Sequence, residues 1–184
     1  MRITGGAARG IPLGVPKGDQ TRPATDRDRE ALFSSLGSWI EGKAVLDLFA
    51  GTGAYGLEAL SRGADSVTWV EKAPQVVQLL KKNLEAVQKA MNGEVVPTRV
   101  LGKDAFRSMS YLARSFDLVI VDPPYQFWQT KEQEILTQVL VCLKEDVEGT
   151  VVLESPEVLP SLKMISQKCR RVGKNVWICQ VLGD

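Results

Sequence analysis

Apolar residues along this chain follow two rhythms that take turns. Short, nearly continuous apolar runs occur at residues 44–49, 66–70, 95–101, 116–121 and 150–153, as expected of strands buried on both faces. Between them the apolar positions recur at helical spacing. One set is Leu32, Phe33, Leu36 and Ile40; a short one is Leu57, Ala59 and Leu60. A longer set is Val76, Val77, Leu80, Leu84 and Val87, and another is Ile135, Leu136, Val139, Leu140 and Leu143. A weakly patterned helix is expected around 105–113. Thr25 with Asp28, and Thr130 with Gln133, have the spacing of capping boxes and predict helix starts. Pro74 predicts another start, and Gly42 and Gly63 predict stops.

Strand alternating with helix predicts parallel βαβ units in an α/β, doubly wound, Rossmann-like sheet. The closing stretch "RRVGKNVWICQV" has two β-type runs around Gly173, Lys174 and Asn175, so the mostly parallel sheet should end in an antiparallel C-terminal hairpin. Residues 1–24 are rich in glycine, proline and charge, with short strands expected at Ile3 and at 11–15 and a loop at "VPKGDQTRP". No repeat or composition break divides the chain, so residues 1–184 read as a single domain carrying 1–24 as an N-terminal extension.

Composition narrows the chemistry. The 184 residues carry a net charge of +1, with no excess of either sign to mark a partner. No apolar stretch approaches the roughly 20 residues that span a bilayer. The first residues lack the apolar core of a secretory leader, so a cytoplasmic protein without a membrane partner is expected. The three cysteines, Cys142, Cys169 and Cys179, are widely spaced, and neither a metal site nor a disulfide is expected of them. Histidine is absent, which excludes Ser-His-Asp and Cys-His catalysis and any His-ligated metal. Residues 1–29 hold a modest basic excess in Arg2, Arg9, Lys17, Arg22, Arg27 and Arg29, which reads either as a solvated face or as a phosphate-contacting arm.

Ligands of doubly wound sheets bind beyond the carboxyl ends of the strands, so what stands there matters most. The first strand runs into "AGTGAYG", where Gly51, Gly53 and Gly56 match G-x-G-x-x-G. Glu71 follows Gly51 by 20 residues at the end of the second strand, the spacing of a carboxylate that accepts both hydroxyls of a ribose. A dinucleotide and S-adenosylmethionine both fit that much. Asp47, inside the first apolar strand, separates them: a buried acid suits a cationic methionine moiety and sits poorly beside a pyrophosphate. Asp104, after the third strand, is placed to accept from an adenine amine or to cap the next helix.

The fourth strand ends in "DPPYQFW", residues 122–128. In isolation this reads equally as a stiff turn with core aromatics or as a pocket for a flat amine. An exocyclic base amine is a poor nucleophile because its lone pair is delocalised into the ring. Two acceptors, one per N–H, would hold it pyramidal and aim the lone pair. Asp122 can supply a carboxylate and Pro123 a backbone carbonyl, with Pro124 stiffening the turn. Tyr125 can stack on the base, and Phe127 and Trp128 either line the pocket or cover the core. The alkylated nitrogen sheds its proton readily, so alignment matters more than a strong base.

"DLFAGTGAYGLEALSRGA", "VEK", "FDLVIVDPPY" and "RPATDRDREALFSSL" together resemble the RsmD-type bacterial methyltransferases, over nearly the whole chain. Members of that family methylate the N2 amine of a guanine in small-subunit (16S) ribosomal RNA. The resemblance implies a class I S-adenosylmethionine fold, with cofactor contacts by Gly51, Gly53, Glu71 and Asp104 and target contacts by Asp122, Pro123 and Tyr125. It implies that the segment from Arg22 to Arg29 helps form the cofactor or RNA side of the pocket, that the substrate is rRNA within an assembling 30S particle, and that no metal takes part. The rivals are an amino-methyltransferase of DNA adenine N6 or of a protein amide, a dinucleotide-binding oxidoreductase, and a catalytically silent RNA-binding module.

Overall fold

In the computed structural model, which describes residues 1–16, 25–91, 95–145, 148–155, 159–166 and 168–181, the apolar runs become the strands of one sheet. They are β1 (Ala44–Leu48), β2 (Ser66–Val70), β3 (Thr98–Leu101), β4 (Leu118–Val121) and β5 (Gly149–Glu154), followed by β6 (Lys168–Arg171) and β7 (Val176–Val181). The helices are α1 (Asp26–Leu36), α2 (Ala54–Ser61), α3 (Pro74–Ala90), α4 (Ala105–Met109), α5 (Tyr125–Cys142) and α6 (Leu162–Ile165). The order across the sheet is β3-β2-β1-β4-β5-β7-β6. The first five strands pair in parallel, and β7 is antiparallel to both β5 and β6, as the expected C-terminal hairpin requires.

Strand order reverses between β1 and β4, and a crevice opens at such a switch point. The ends of the strands are level there: Leu48 pairs with both Val70 and Val121, Val70 with Leu101, and Val121 with Leu153. Side chains alternate between the two faces of a sheet. Val45, Val67, Ile120 and Val152 join the core under α1, α2 and α3, while Leu46, Val119, Val121 and Leu153 join the core under α4, α5 and α6. Along the same parity, Asp47, Glu71, Asp122 and Glu154 fall on the α2 side of the sheet.

The described part of the N-terminal segment is packed into that first core. Ile3, Ala8 and Leu13 are buried, and an Arg2–Pro12 bridge closes a small ribbon. Glu58, fully buried on α2, accepts from the Thr4 backbone N–H and pairs with Arg62. The Asn83 amide on α3 donates to the carbonyls of both Gly14 and Thr52, which ties the segment to the loop after β1. Arg22 and most of the "VPKGDQTRP" loop lie outside the described residues.

Several boundaries differ from the sequence reading, each for a local reason. The first helix stops at Gly37 (φ 57°), not Gly42, and a 3-10 turn carries Ile40 to the core. β3 begins only after Pro97, which has no N–H to give to a ladder, although its carbonyl accepts from Val67. α4 is shorter than expected, and α6 carried no periodic signal. α5 starts at Tyr125, five residues before Thr130, because Pro124 takes an extended ψ of 136° and serves as N-cap. The Thr130 hydroxyl donates back to the Gln126 carbonyl, and Lys131 next to it leaves helical geometry (φ −136°). The capping-box spacing there marks a kink within the helix. The expectation of no disulfide is also corrected: Cys169 and Cys179 sit opposite one another in the β6–β7 register and are joined.

Candidate active site

The glycine turn after β1 is held open from outside the turn itself. Gly51 (φ 52°) and Gly53 (φ 82°) both take left-handed backbone that favours glycine. The Gly51 N–H donates to Glu71 Oε2 at 3.0 Å, and the Ala73 N–H donates to Glu71 Oε1 at 2.8 Å. Glu71 therefore joins the end of β2 to the turn after β1. A Cβ on Gly51 would meet no atom of the described residues within 4 Å, so the turn is open to them on that side. Gly56 has a different job. A Cβ there would stand 2.2 Å from the Trp69 indole nitrogen, so it lets α2 lie against β2.

Asp47 is 1% exposed and accepts from the Gly56 N–H at 2.9 Å. Burial, aided by the nearby Glu71 carboxylate, raises its pKa to about 8 against the opposing Gly56 hydrogen bond. No ion pair reaches it among the described residues. A carboxyl whose folded-state pKa is raised gives stability that is complete below its unfolded value near 4 and is lost as pH climbs towards 8. Asp47→Asn keeps an acceptor for Gly56 and removes the titration. The variant should therefore gain thermal stability over the parent as pH rises from 5 to 8, and the gain should level off above that. Melting curves of both proteins across that range check it; parallel curves would contradict the assignment.

Asp104 caps α4, accepting from the Arg107 N–H at 3.2 Å, and remains partly exposed at the end of β3. Phe49, the residue after β1, has a positive φ of 56°, unusual for a bulky side chain. That turn brings its ring against Phe106 and Phe127, with centroids 5.9 and 6.0 Å away, and those two rings are 5.8 Å apart. Lys131 lies 4.2 Å over the Phe106 ring and Lys72 lies 6.0 Å over Phe127. The three rings bridge the loop of Gly51 and the loop of Asp122.

Asp122 extends the ladder beyond β4, its N–H reaching the Leu48 carbonyl at 3.5 Å. Pro123 is buried, Pro124 is exposed, and Tyr125 is 44% exposed at the first turn of α5. Trp128 is 5% exposed, and its indole N–H donates to the Glu154 carbonyl at 2.8 Å, so most of it belongs to the core. Phe127 is half-buried in the aromatic triangle. Arg27 is exposed on α1.

Two residues that sequence reasoning passed over complete the site. Tyr55, 4% exposed on α2, donates its hydroxyl to Glu154 Oε2 at 2.6 Å. Burial, and then the negative charges of Glu154 and Asp122, push its pKa well up. Asp122 is raised well above the ordinary carboxylate range by burial first, then by Glu154 and Asp47. A signal for Glu154 was present: like Glu71 and Asp122 it is an acid at the C-terminal end of an apolar strand.

A family model described as "Conserved hypothetical protein 95" matches residues 1–178. A relative from Bacillus subtilis (strain 168), named "Putative rRNA methyltransferase YlbH", is 32% identical over 89% of this chain and 90% of its own. "Ribosomal RNA small subunit methyltransferase D" of Escherichia coli (strain K12) is 45% identical over 68% of this chain, an alignment spanning 61% of that protein. The solved structure "Putative methyltransferase yhhF from Escherichia coli" superposes with a TM-score of 0.79 at 32% identity, covering 100% of this chain and 99% of the other.

Proposed function

The chain belongs to the family described as conserved hypothetical protein 95, that of the RsmD-type methyltransferases, and on this footing we propose that it methylates the exocyclic N2 amine of a guanine in small-subunit rRNA, with S-adenosylmethionine as donor. The observation that carries the reading is the juxtaposition at the switch point. The Gly51–Gly53 turn after β1 and Asp122 after β4 stand on adjacent strands, at the same level of the sheet.

The residues fit such a cofactor. Asp47 is a buried carboxyl with no ion pair among the described residues, which favours a ligand bearing positive charge and disfavours a pyrophosphate. Glu71 would take the ribose hydroxyls, Gly51 and Gly53 would let the backbone approach, and Asp104 would accept from the adenine amine. The bound cofactor supplies an electrophilic methyl group.

The rest is positioning by this chain. Asp122 and the Pro123 carbonyl accept the two N–H bonds of the target amine and turn its lone pair out of the ring plane. Tyr125, on the rim, stacks on the base, which must be unpaired or extruded to reach it. Pro124 and Phe127 border that pocket, and Arg27 with Arg22 contacts RNA phosphates. The substrate is rRNA within an assembling 30S particle. Incubation with labelled S-adenosylmethionine and unmodified small subunits, naked rRNA or DNA, followed by mass spectrometry of the nucleosides, tests this. N2-methylguanosine from subunits is the expected product; label found only in DNA or protein would overturn the reading.

A further inference from the structure

Glu154 is held more firmly than a strand-end residue needs to be. Its side chain accepts the Tyr55 hydroxyl from α2 at 2.6 Å, and its backbone carbonyl accepts the Trp128 indole N–H from α5 at 2.8 Å. α2 begins at the glycine turn and α5 begins at Tyr125, so this one residue joins the two helices that frame the crevice. The next N–H along, that of Ser155, donates to the Asn175 carbonyl at 2.7 Å and fixes the strand end from the β7 side.

The parallel register pairs Val121 with Leu153. Asp122 and Glu154 are therefore the next residues on neighbouring strands, and alternation sends both side chains to the α2 face. Asp122 feels its neighbour: burial and then the Glu154 charge raise its proton affinity. Glu154 is itself raised by burial, with the Tyr55 hydrogen bond opposing. The other ionisable groups facing the pair are Asp47 on β1 and Asp28 and Arg29 on α1.

We propose that Glu154 is a positioning residue for Asp122: Tyr55 and Trp128 hold it there so that the two carboxyls act as one acceptor that carries a single proton between them. The proposal rests on the reading of Asp122 as the amine's acceptor and adds what sustains it. In the transfer, the N–C bond forms as the S–C bond of a methylsulfonium donor breaks, and the sulfur keeps the electron pair as a neutral thioether. The nitrogen then carries one proton too many. That proton passes to the ionised member of the pair and from there to water, which restores the neutral amine. Two carboxyls that share a proton offer a hydrogen-bond acceptor to the incoming amine without burying two full negative charges.

Carbon-13 NMR of the cofactor-free protein, with labelled Asp and Glu carboxyls, tests the pairing apart from any substrate. The Asp122 and Glu154 carbons should each titrate in two steps, at the same two pH values. In Glu154→Gln, which keeps an acceptor for Tyr55, Asp122 should titrate in one step at lower pH. The acid limb of the kcat profile on small subunits should move down with it, while cofactor affinity stays as in the parent. Tyr55→Phe keeps the ring and removes only the donor, so it should raise the Glu154 titration and lower that of Asp122 together. Independent single-step titrations in the parent, or an Asp122 midpoint unmoved in both variants, would overturn the proposal. Paired titration in a protein that methylates no rRNA would uphold the pairing and sink the proposed substrate.

Discussion

Asp122→Ala should cut methyl transfer by on the order of 10³-fold, the cost of losing one preorganised hydrogen-bond partner of a transition state. S-adenosylmethionine affinity should be nearly unchanged. The two effects separate because of where the residue stands. The groups assigned to the cofactor hang from β1, β2 and β3, whereas Asp122 follows β4 across the crevice. Nothing in the Gly51–Glu71–Ala73 hydrogen bonding passes through it. Pro123 would still offer its carbonyl, so one N–H of the amine would stay bound, and the lone pair would relax back into the ring.

Loss of folding would not mimic this outcome. The Asp122 carboxyl has its proton affinity raised in the folded chain, by burial, then Glu154, then Asp47. Such a group stabilises the fold fully only below its unfolded pKa near 4, and that contribution is lost as pH rises through the folded value. Above the unfolded value that contribution falls away as pH climbs, so the alanine variant should melt no lower than the parent at pH 8. Single-turnover transfer, titration calorimetry with the cofactor and a melt at pH 8 form the set. Near-normal transfer, or a parallel fall in cofactor affinity, would remove Asp122 from the amine.

Which parts of this were legible in the sequence follows from how far apart the cooperating residues lie. β2 was readable to the residue and α3 at its start, because Pro74 and a clean apolar period are local signals. The strand-end acids Glu71 and Asp122 were readable for the same reason. Tyr55 and Glu154 are 99 residues apart, and only the sheet order brings them together. Likewise, the pairing of Cys169 with Cys179 depends on the register of β6 against β7, which residue spacing does not state. The start of α5 was hidden because a proline cap and a kink at Lys131 together imitate a helix that begins at Thr130. Phe49 shows the same limit at the scale of one residue: its positive φ and its packing against Phe106 and Phe127 leave no trace in its place in an apolar run.

Glu71→Ala should weaken S-adenosylmethionine binding by roughly 30-fold, since a hydrogen bond to a charged group contributes about 2 kcal/mol. The carboxylate does two things at once. It would take the ribose hydroxyls, and it already binds the N–H groups of Gly51 and Ala73 at 3.0 and 2.8 Å. Removing it frees the N–H of the left-handed Gly51 in the turn, while Gly53 stays tied to the Ala50 carbonyl and to the Trp69 indole, and Thr52 to Asn83. Binding then has to order that turn as well as form contacts, and the cost falls on affinity. At saturating cofactor the amine would still meet Asp122 and Pro123, so kcat should fall far less than kcat/KM for the cofactor. Glu71→Gln divides the two roles. Its amide oxygen can still accept from Gly51, but its amide nitrogen cannot accept from Ala73 or from a second hydroxyl, so it should bind with intermediate affinity. Calorimetry that finds unchanged affinity in both variants would remove Glu71 from the ribose. A Gln variant as weak as Ala would instead place the whole effect on the charge.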